Sequence, residues 1–269
     1  MGGMVVVQEV FRLIKKLLLK GSLYAFPLMN PIGFENSSRY ITVSEEDLNR
    51  SFPGDKNGSL AERMADKIFS TVLESKPNLV LDLHNDWISS IPYALVDYSK
   101  SLESIPAYEK TKQFSRMTSL ISILDTDELE DTFSYNLLLR GIPALTLELG
   151  ESYVINERSV ECGVKSILNL LSELGMIKPF TTTFGYPVPE ILRDKILKYS
   201  QQMSSTSGIV RFLAKPGFFV KKGQPLAKIY NAFGRLEETV LALNDGVILG
   251  HSDYSVAFPG APIIAFGNI

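Results

Sequence analysis

Hydrophobic residues recur along this chain with two periods, one helical and one strand-like, and the balance between them shifts about two thirds of the way along. Near the start, Val6, Val10, Leu13 and Leu17 repeat at helical spacing while Lys15 and Lys16 fall towards the other side. This predicts an amphipathic helix ending near Gly21. The run SLYAFPLMNP (22–31) reads as a buried strand, and a long polar loop, GFENSSRYITVSEEDLNRSFPGDKNG, follows it. A second helix opens with a capping box in which Ser59 and Glu62 satisfy each other's backbone N–H, and it runs to about Ser75. NLVLDLH, YALVDY and PALTLEL predict strands, the last bounded by Pro143 and Gly150. VECGVKSILNLLSEL predicts a helix stopped by Gly175 and Pro179. Apolar strands alternating with amphipathic helices give an α/β fold, a mixed sheet sandwiched by helices, over residues 1–180.

From about Thr181 short strands and Gly/Pro turns replace the long helices, and QQMSSTSG reads as a polar connector. SGIVRF precedes KKGQPLAKI much as DGVILG precedes FPGAPIIAF, a weak internal repeat. Two similar β halves predict a small all-β barrel or sandwich over 181–269. The pattern resembles the biotinyl/lipoyl carrier fold. Such carriers need a modifiable lysine between the halves, where this chain has NAFGRLEE and no lysine after Lys228. A swinging-arm role is therefore not expected, and a structural or substrate-gating appendage is.

Composition narrows the class. Over 269 residues, 45% hydrophobic and 21% charged content is that of an ordinary globular protein with a sizeable core. A net charge of −3 and the lack of a Lys/Arg run argue against nucleic acid. No uncharged apolar run reaches the roughly 18 residues of a membrane span, and the N-terminal stretch lacks the layout of a signal peptide. The single cysteine, Cys162, excludes an intrachain disulfide framework and suits the cytoplasm.

Candidate chemistry gathers at loops and strand ends, where α/β sheets place their reactive groups. One group is Arg39, Asp47, Asn49 and Arg50; a second is His84 in DLHND; a third is Glu148 and Glu151 in TLELGE. Taken alone, His84 fits a hydrogen-bonded structural residue as well as a ligand. Arg39 and Arg50 also fit surface ion pairs with Glu45, Glu46 or Asp47. DTDELED lacks the glycine and spacing of a calcium loop and reads as a solvated loop.

In order along the chain, NPIGFENSSRY, DLNRSFPG, DLHND and ALTLELGE resemble the succinylglutamate desuccinylase/aspartoacylase group, part of the wider zinc carboxypeptidase superfamily. The resemblance implies a zinc ion held by two histidines and a glutamate, with water in the fourth position. Carried over by motif, His84 matches the last zinc ligand and Glu148 the general base, with Glu151 as an alternative. Arg39 matches the arginine that stabilises the oxyanion, and Asn49 with Arg50 the clamp for a substrate carboxylate. The implied activity is a zinc-dependent amidohydrolase acting on N-acyl amino acids or related small carboxylates. Its partner is that small molecule rather than nucleic acid or membrane, and a homo-oligomer is left open. The family's other two ligands sit in a GxHGxE-type loop before its first helix, whereas this sequence opens on that helix. Two expectations follow, a shortened start or a naturally metal-poor relative, and under either the quoted chain binds zinc weakly and hydrolyses little. The alternative function is a metal-free protein that binds small carboxylates.

Overall fold

The computed structural model describes residues 1–127, 129–179, 186–187, 189–192 and 194–269. The chain opens with α1 (Gly2–Leu17), a short α2 (Pro31–Glu35) and a small hairpin of β1 (Tyr40–Ile41) and β2 (Glu46–Asp47). A 3-10 turn at Leu48–Arg50 leads to α3 (Leu60–Glu74), and β3 (Val80–His84), β4 (Ser89–Ser90) and β5 (Pro92–Asp97) follow. Next come α4 (Pro106–Met117), β6 (Ile121–Asp125), α5 (Phe133–Leu139), β7 (Ala144–Leu149) and α6 (Glu157–Glu173). The remainder is β8 (Ile196–Met203), β9 (Gly208–Phe212), β10 (Phe219–Val220), β11 (Pro225–Tyr230), β12 (Leu236–Leu241), β13 (Gly246–His251), β14 (Val256–Ala257) and β15 (Pro262–Asn268).

Most predicted elements form where the hydrophobic period puts them. Val6, Val10 and Ile14 are the buried stripe of α1, and the Ser59/Glu62 capping box opens α3. SLYAFPLMNP is the exception. No strand forms there, and Tyr24, Phe26 and Leu28 are exposed. Pro27 cannot donate to a ladder, and Pro31 sits in the first turn of α2. Apolar content without a pairing partner does not make a strand.

Among the described residues, one nine-stranded mixed sheet runs in the order β10-β13-β15-β8-β6-β5-β7-β3, with β4 paired to β13. β3 lies parallel to β7, and β5 antiparallel to β7 and parallel to β6. β8 joins in parallel beside β6, so the same sheet continues into the C-terminal region. QQMSSTSG is correspondingly not all connector, because Gln201–Met203 end β8. The boundary expected at residues 180 and 181 lies outside the described residues.

The two similar β halves supply two layers. β9 and β11 belong to a four-stranded sheet, β12-β11-β9-β14, while β13 and β15 belong to the main one. Each half lends the other a short strand: β10 pairs with β13 and β14 with β9. Val210, Ala227, Ile229 and Val240 of the small sheet share one buried cluster with Ile248, Ile264 and Phe266 of the main sheet.

Side-chain alternation tells the two faces of the main sheet apart. Gly163 of α6 approaches Leu149 and Val6 so closely that an added Cβ would lie 2.7 Å from Leu149 Cδ2 and 2.9 Å from Val6 Cγ2. A bare glycine therefore lets α1, α6 and the Leu145/Leu147/Leu149 face of β7 meet. On the other face Thr146 of β7 donates to Ser134 of α5 at 3.3 Å. Glu148, two residues on, shares that face, as do the residues in register with it.

Asp97 ends β5 on this side and is 7% exposed, with Thr132 donating to its Oδ1 at 3.2 Å and no partner for Oδ2 among the described residues. Burial pushes its carboxyl from 3.8 up to about 6, against the downward pull of Ser134 and Thr132. Its protonated form is favoured in the folded state, so the stability it contributes is full below 3.8 and is lost as pH rises through about 6. Urea unfolding of Asp97→Asn, which cannot ionise, is expected to gain about 1–2 kcal/mol on the parent chain between pH 5 and pH 8. Parallel pH profiles for the two proteins would contradict this.

Candidate active site

The core of the site is a row of side chains across three strands. His84 on β3 is in register with Glu148 on β7, and Glu148 with Tyr93 on β5. One step along the same face, Asp82 pairs with Thr146 and Thr146 with Leu95. In-register partners point to the same side of a sheet, so backbone pairing alone brings Asp82, His84, Glu148 and Tyr93 together.

Within the row, Asp82 Oδ2 lies 2.9 Å from His84 Nε2, and Glu148 Oε1 lies 3.7 Å from His84 Nδ1. The second distance is too long for a hydrogen bond. Tyr93 donates its hydroxyl to Asp86 Oδ2 at 2.9 Å. The loop after His84 is tied to the end of β7: Asn85 Nδ2 donates to the Gly150 and Glu151 carbonyls, and the Asp86 N–H to that of Gly150.

The electrostatics follow from enclosure. Burial opposes charge on His84, but the charge and hydrogen bond of Asp82, with Glu148 beyond, outweigh it and raise the ring to about 9. Burial pushes Glu148 up to about 8, with Asp86 and Asp82 reinforcing it against the pull of His84 and Arg39. Each of the two charges acts on the other across the 3.7 Å gap. Glu148 Oε2 has no hydrogen-bond partner among the described residues. A carboxylate with a raised pKa and one unengaged oxygen is suited to exchange protons near neutral pH.

Arg39 belongs to this electrostatic group, since its charge acts on both His84 and Glu148. Its Nε holds Asp47 Oδ2 at 2.7 Å across the β1–β2 hairpin, and the side chain is 60% exposed. Asn49 and Arg50 make other contacts. Asn49 Oδ1 accepts the Phe133 N–H at 2.9 Å at the start of α5. Arg50 donates to its neighbour's carbonyl, the Asn49 oxygen, at 2.7 Å and faces Asp131 at 3.7 Å. Glu151 accepts from Asn156 Nδ2 at 2.6 Å, which ties it to the start of α6 and leaves Glu148, of the two glutamates, as the one beside His84. Asp82, Asp86 and Tyr93 are members that reading the sequence missed. Asp82 was within reach, since two residues' spacing on a strand puts it on the His84 face.

A zinc site needs three protein ligands. The Asp82 contact is the kind of carboxylate support that orients a ligating histidine. Among the described residues, however, no group of three or more His, Cys, Asp or Glu side chains is arranged to hold a metal. His251, the second histidine, lies on β13 stacked on Phe212 at 3.9 Å. The donor set fits one ligand of a zinc site and not a complete one.

Residues 1–174 match the model of the succinylglutamate desuccinylase/aspartoacylase catalytic domain. The chain is 26% identical over 233 residues to the N-alpha-acetyl-L-2,4-diaminobutyric acid deacetylase of Halomonas elongata, covering 85% of this chain and 66% of that protein. The product-bound ectoine utilization protein EutE (DoeB) of Ruegeria pomeroyi superposes with a TM-score of 0.80 at 19% identity, over 100% of this chain and 81% of that one. A succinylglutamate desuccinylase/aspartoacylase from Rhodobacter sphaeroides gives a TM-score of 0.80 at 19% identity, over 99% and 81%. With more than half its length matched by that catalytic-domain model, this chain belongs to the succinylglutamate desuccinylase/aspartoacylase family.

Proposed function

We propose that this chain carries the hydrolytic site of a deacylase that cleaves the amide of N-acyl amino acids or related small carboxylates. The observation that supports this best is the half-buried pair of His84 and Glu148 on neighbouring strands, with Arg39 in electrostatic reach of both. In this reading Glu148 takes a proton from the attacking water and returns it to the leaving amine. Arg39 stabilises the negative charge that grows on the carbonyl oxygen. Asn49 and Arg50 receive the substrate carboxylate, which replaces Asp131 beside the Arg50 guanidinium. Asp82 holds the imidazole of His84 in one orientation.

Zinc, when bound, polarises the carbonyl and acidifies water, and His84 is the ligand these residues offer it. The wider fold in this reading is zinc carboxypeptidase-like over residues 1–180, followed by a biotinyl/lipoyl-like β domain over 181–269. We place the protein in the cytoplasm, with a small carboxylate as its partner. The relative from Halomonas elongata bears the name of a deacetylase, which agrees with this chemistry. A second reading, a carboxylate-binding protein without a metal, is favoured by the incomplete ligand set among the described residues.

Two measurements test these readings. With zinc added in excess to offset its weak binding, release of free amine from a panel of N-acyl amino acids is expected to fall by about 10²–10⁴-fold in Glu148→Gln, a loss typical of a missing general base. Unchanged turnover would remove Glu148 from its role. Elemental analysis of the purified 269-residue chain is expected to find zinc well below one ion per chain, and a full complement would contradict the weak-binding expectation.

A further inference from the structure

The segment between His84 and β5 is held from both sides. On one side are the bonds to Gly150 and Glu151 already described. On the other is the C-terminal region, more than 150 positions away. β4 pairs with β13 at Ser90↔Gly250 and Ser89↔His251, and the Ile91 N–H donates to the Leu249 carbonyl at 2.9 Å. Gly250 leaves room for this approach, since a Cβ there would lie 3.0 Å from Ser90 Cβ and 3.4 Å from Trp87 Cε3. Just past β13, Asp253 Oδ1 accepts the Ile88 N–H at 2.6 Å, and its charge reaches Asp86.

We propose that Asp253 is a positioning residue for the candidate active site: it fixes the loop that carries Asn85, Asp86 and Trp87 out of His84, so that the C-terminal region completes the site instead of merely neighbouring it. Three features carry this. The bond is short and charge-assisted, the strong class of hydrogen bond. It falls on the stretch between β3 and β4 that no strand ladder holds. It also bridges 165 positions of sequence, so it answers no local turn requirement. Ile88 is 44% exposed, so its own side chain does little to anchor this stretch. The ladders on either side do not depend on Asp253, so its loss should loosen this loop and not the sheet.

As a statement about catalysis the inference rests on the proposed hydrolytic reading. The bond itself does not, and the test separates them. Trp87 is the single tryptophan of the chain and lies in the loop in question. In Asp253→Ala the Ile88 amide is expected to exchange about 10–100-fold faster, the loss of one charged hydrogen bond. Trp87 emission should become easier to quench with acrylamide. Asp253→Asn, which keeps a carbonyl acceptor, should restore most of both signals. With substrate, Asp253→Ala should lower kcat by about tenfold or more, with KM nearly unchanged, as misplacement of a reacting group does. Unchanged Ile88 exchange and Trp87 quenching in Asp253→Ala would overturn the proposal whether or not the chain turns over substrate. If Asp253→Ala does not fold, the parent chain decides: an Ile88 amide exchanging like a free exposed one overturns the proposal, and a protected one supports it. Protection lost in Asp253→Ala, with no turnover by the parent chain on any N-acyl amino acid even in excess zinc, would uphold the bond and overturn the hydrolytic reading.

Discussion

The parallel pairing of β3 with β7 governs the chemistry of this molecule. A ladder fixes register in steps of one residue, and a slip of one step would turn His84 to the opposite face. In the register found, His84 stands beside Glu148, Asp82 beside Thr146, and β5 extends the line to Tyr93. No loop needs to fold in a special way for these groups to meet. Enclosure then does the electrostatic work. Partly shielded from water, Glu148 holds its proton more tightly than an exposed carboxylate, and Asp82 keeps the ring of His84 readily protonated.

That row needs support on both faces and at its rim. Gly163 lets α1 and α6 close on the Leu145/Leu147/Leu149 face, and α5 leans on the other through Ser134 and Thr146. The rim is shared between regions far apart in sequence. Gly150 and Glu151 hold one side of the His84 loop, while β13 and Asp253 hold the other. Since β8 also continues the main sheet beside β6, the C-terminal strands form part of the site's frame.

Much of this was legible in the sequence because it depends on local period. The α1 stripe, the Ser59/Glu62 cap and the apolar runs of β3, β5 and β7 all fold as their spacing dictates. Alternation along DLH carried the Asp82–His84 contact as well. What stayed hidden depends on pairing over long distances. Pro27 within SLYAFPLMNP weakens a strand but does not say that none will pair there, and nothing in the β8 segment names β6 as its neighbour. Asn49 and Arg50 show the same limit. Their motif resembles a carboxylate clamp, but their contacts in the fold are the Phe133 amide and the Asp131 carboxylate. The tie from Asp253 to Ile88 leaves no local trace at either end.

His84 and Glu148 interact as one unit set by the β3–β7 register. A double-mutant cycle on unfolding free energy, using His84→Ala, Glu148→Gln and the double variant, tests it most directly. Non-additivity of about 0.5–3 kcal/mol is expected, the range for side chains in one network. Effects that add to within about 0.5 kcal/mol, as they do for distant sites, would contradict it.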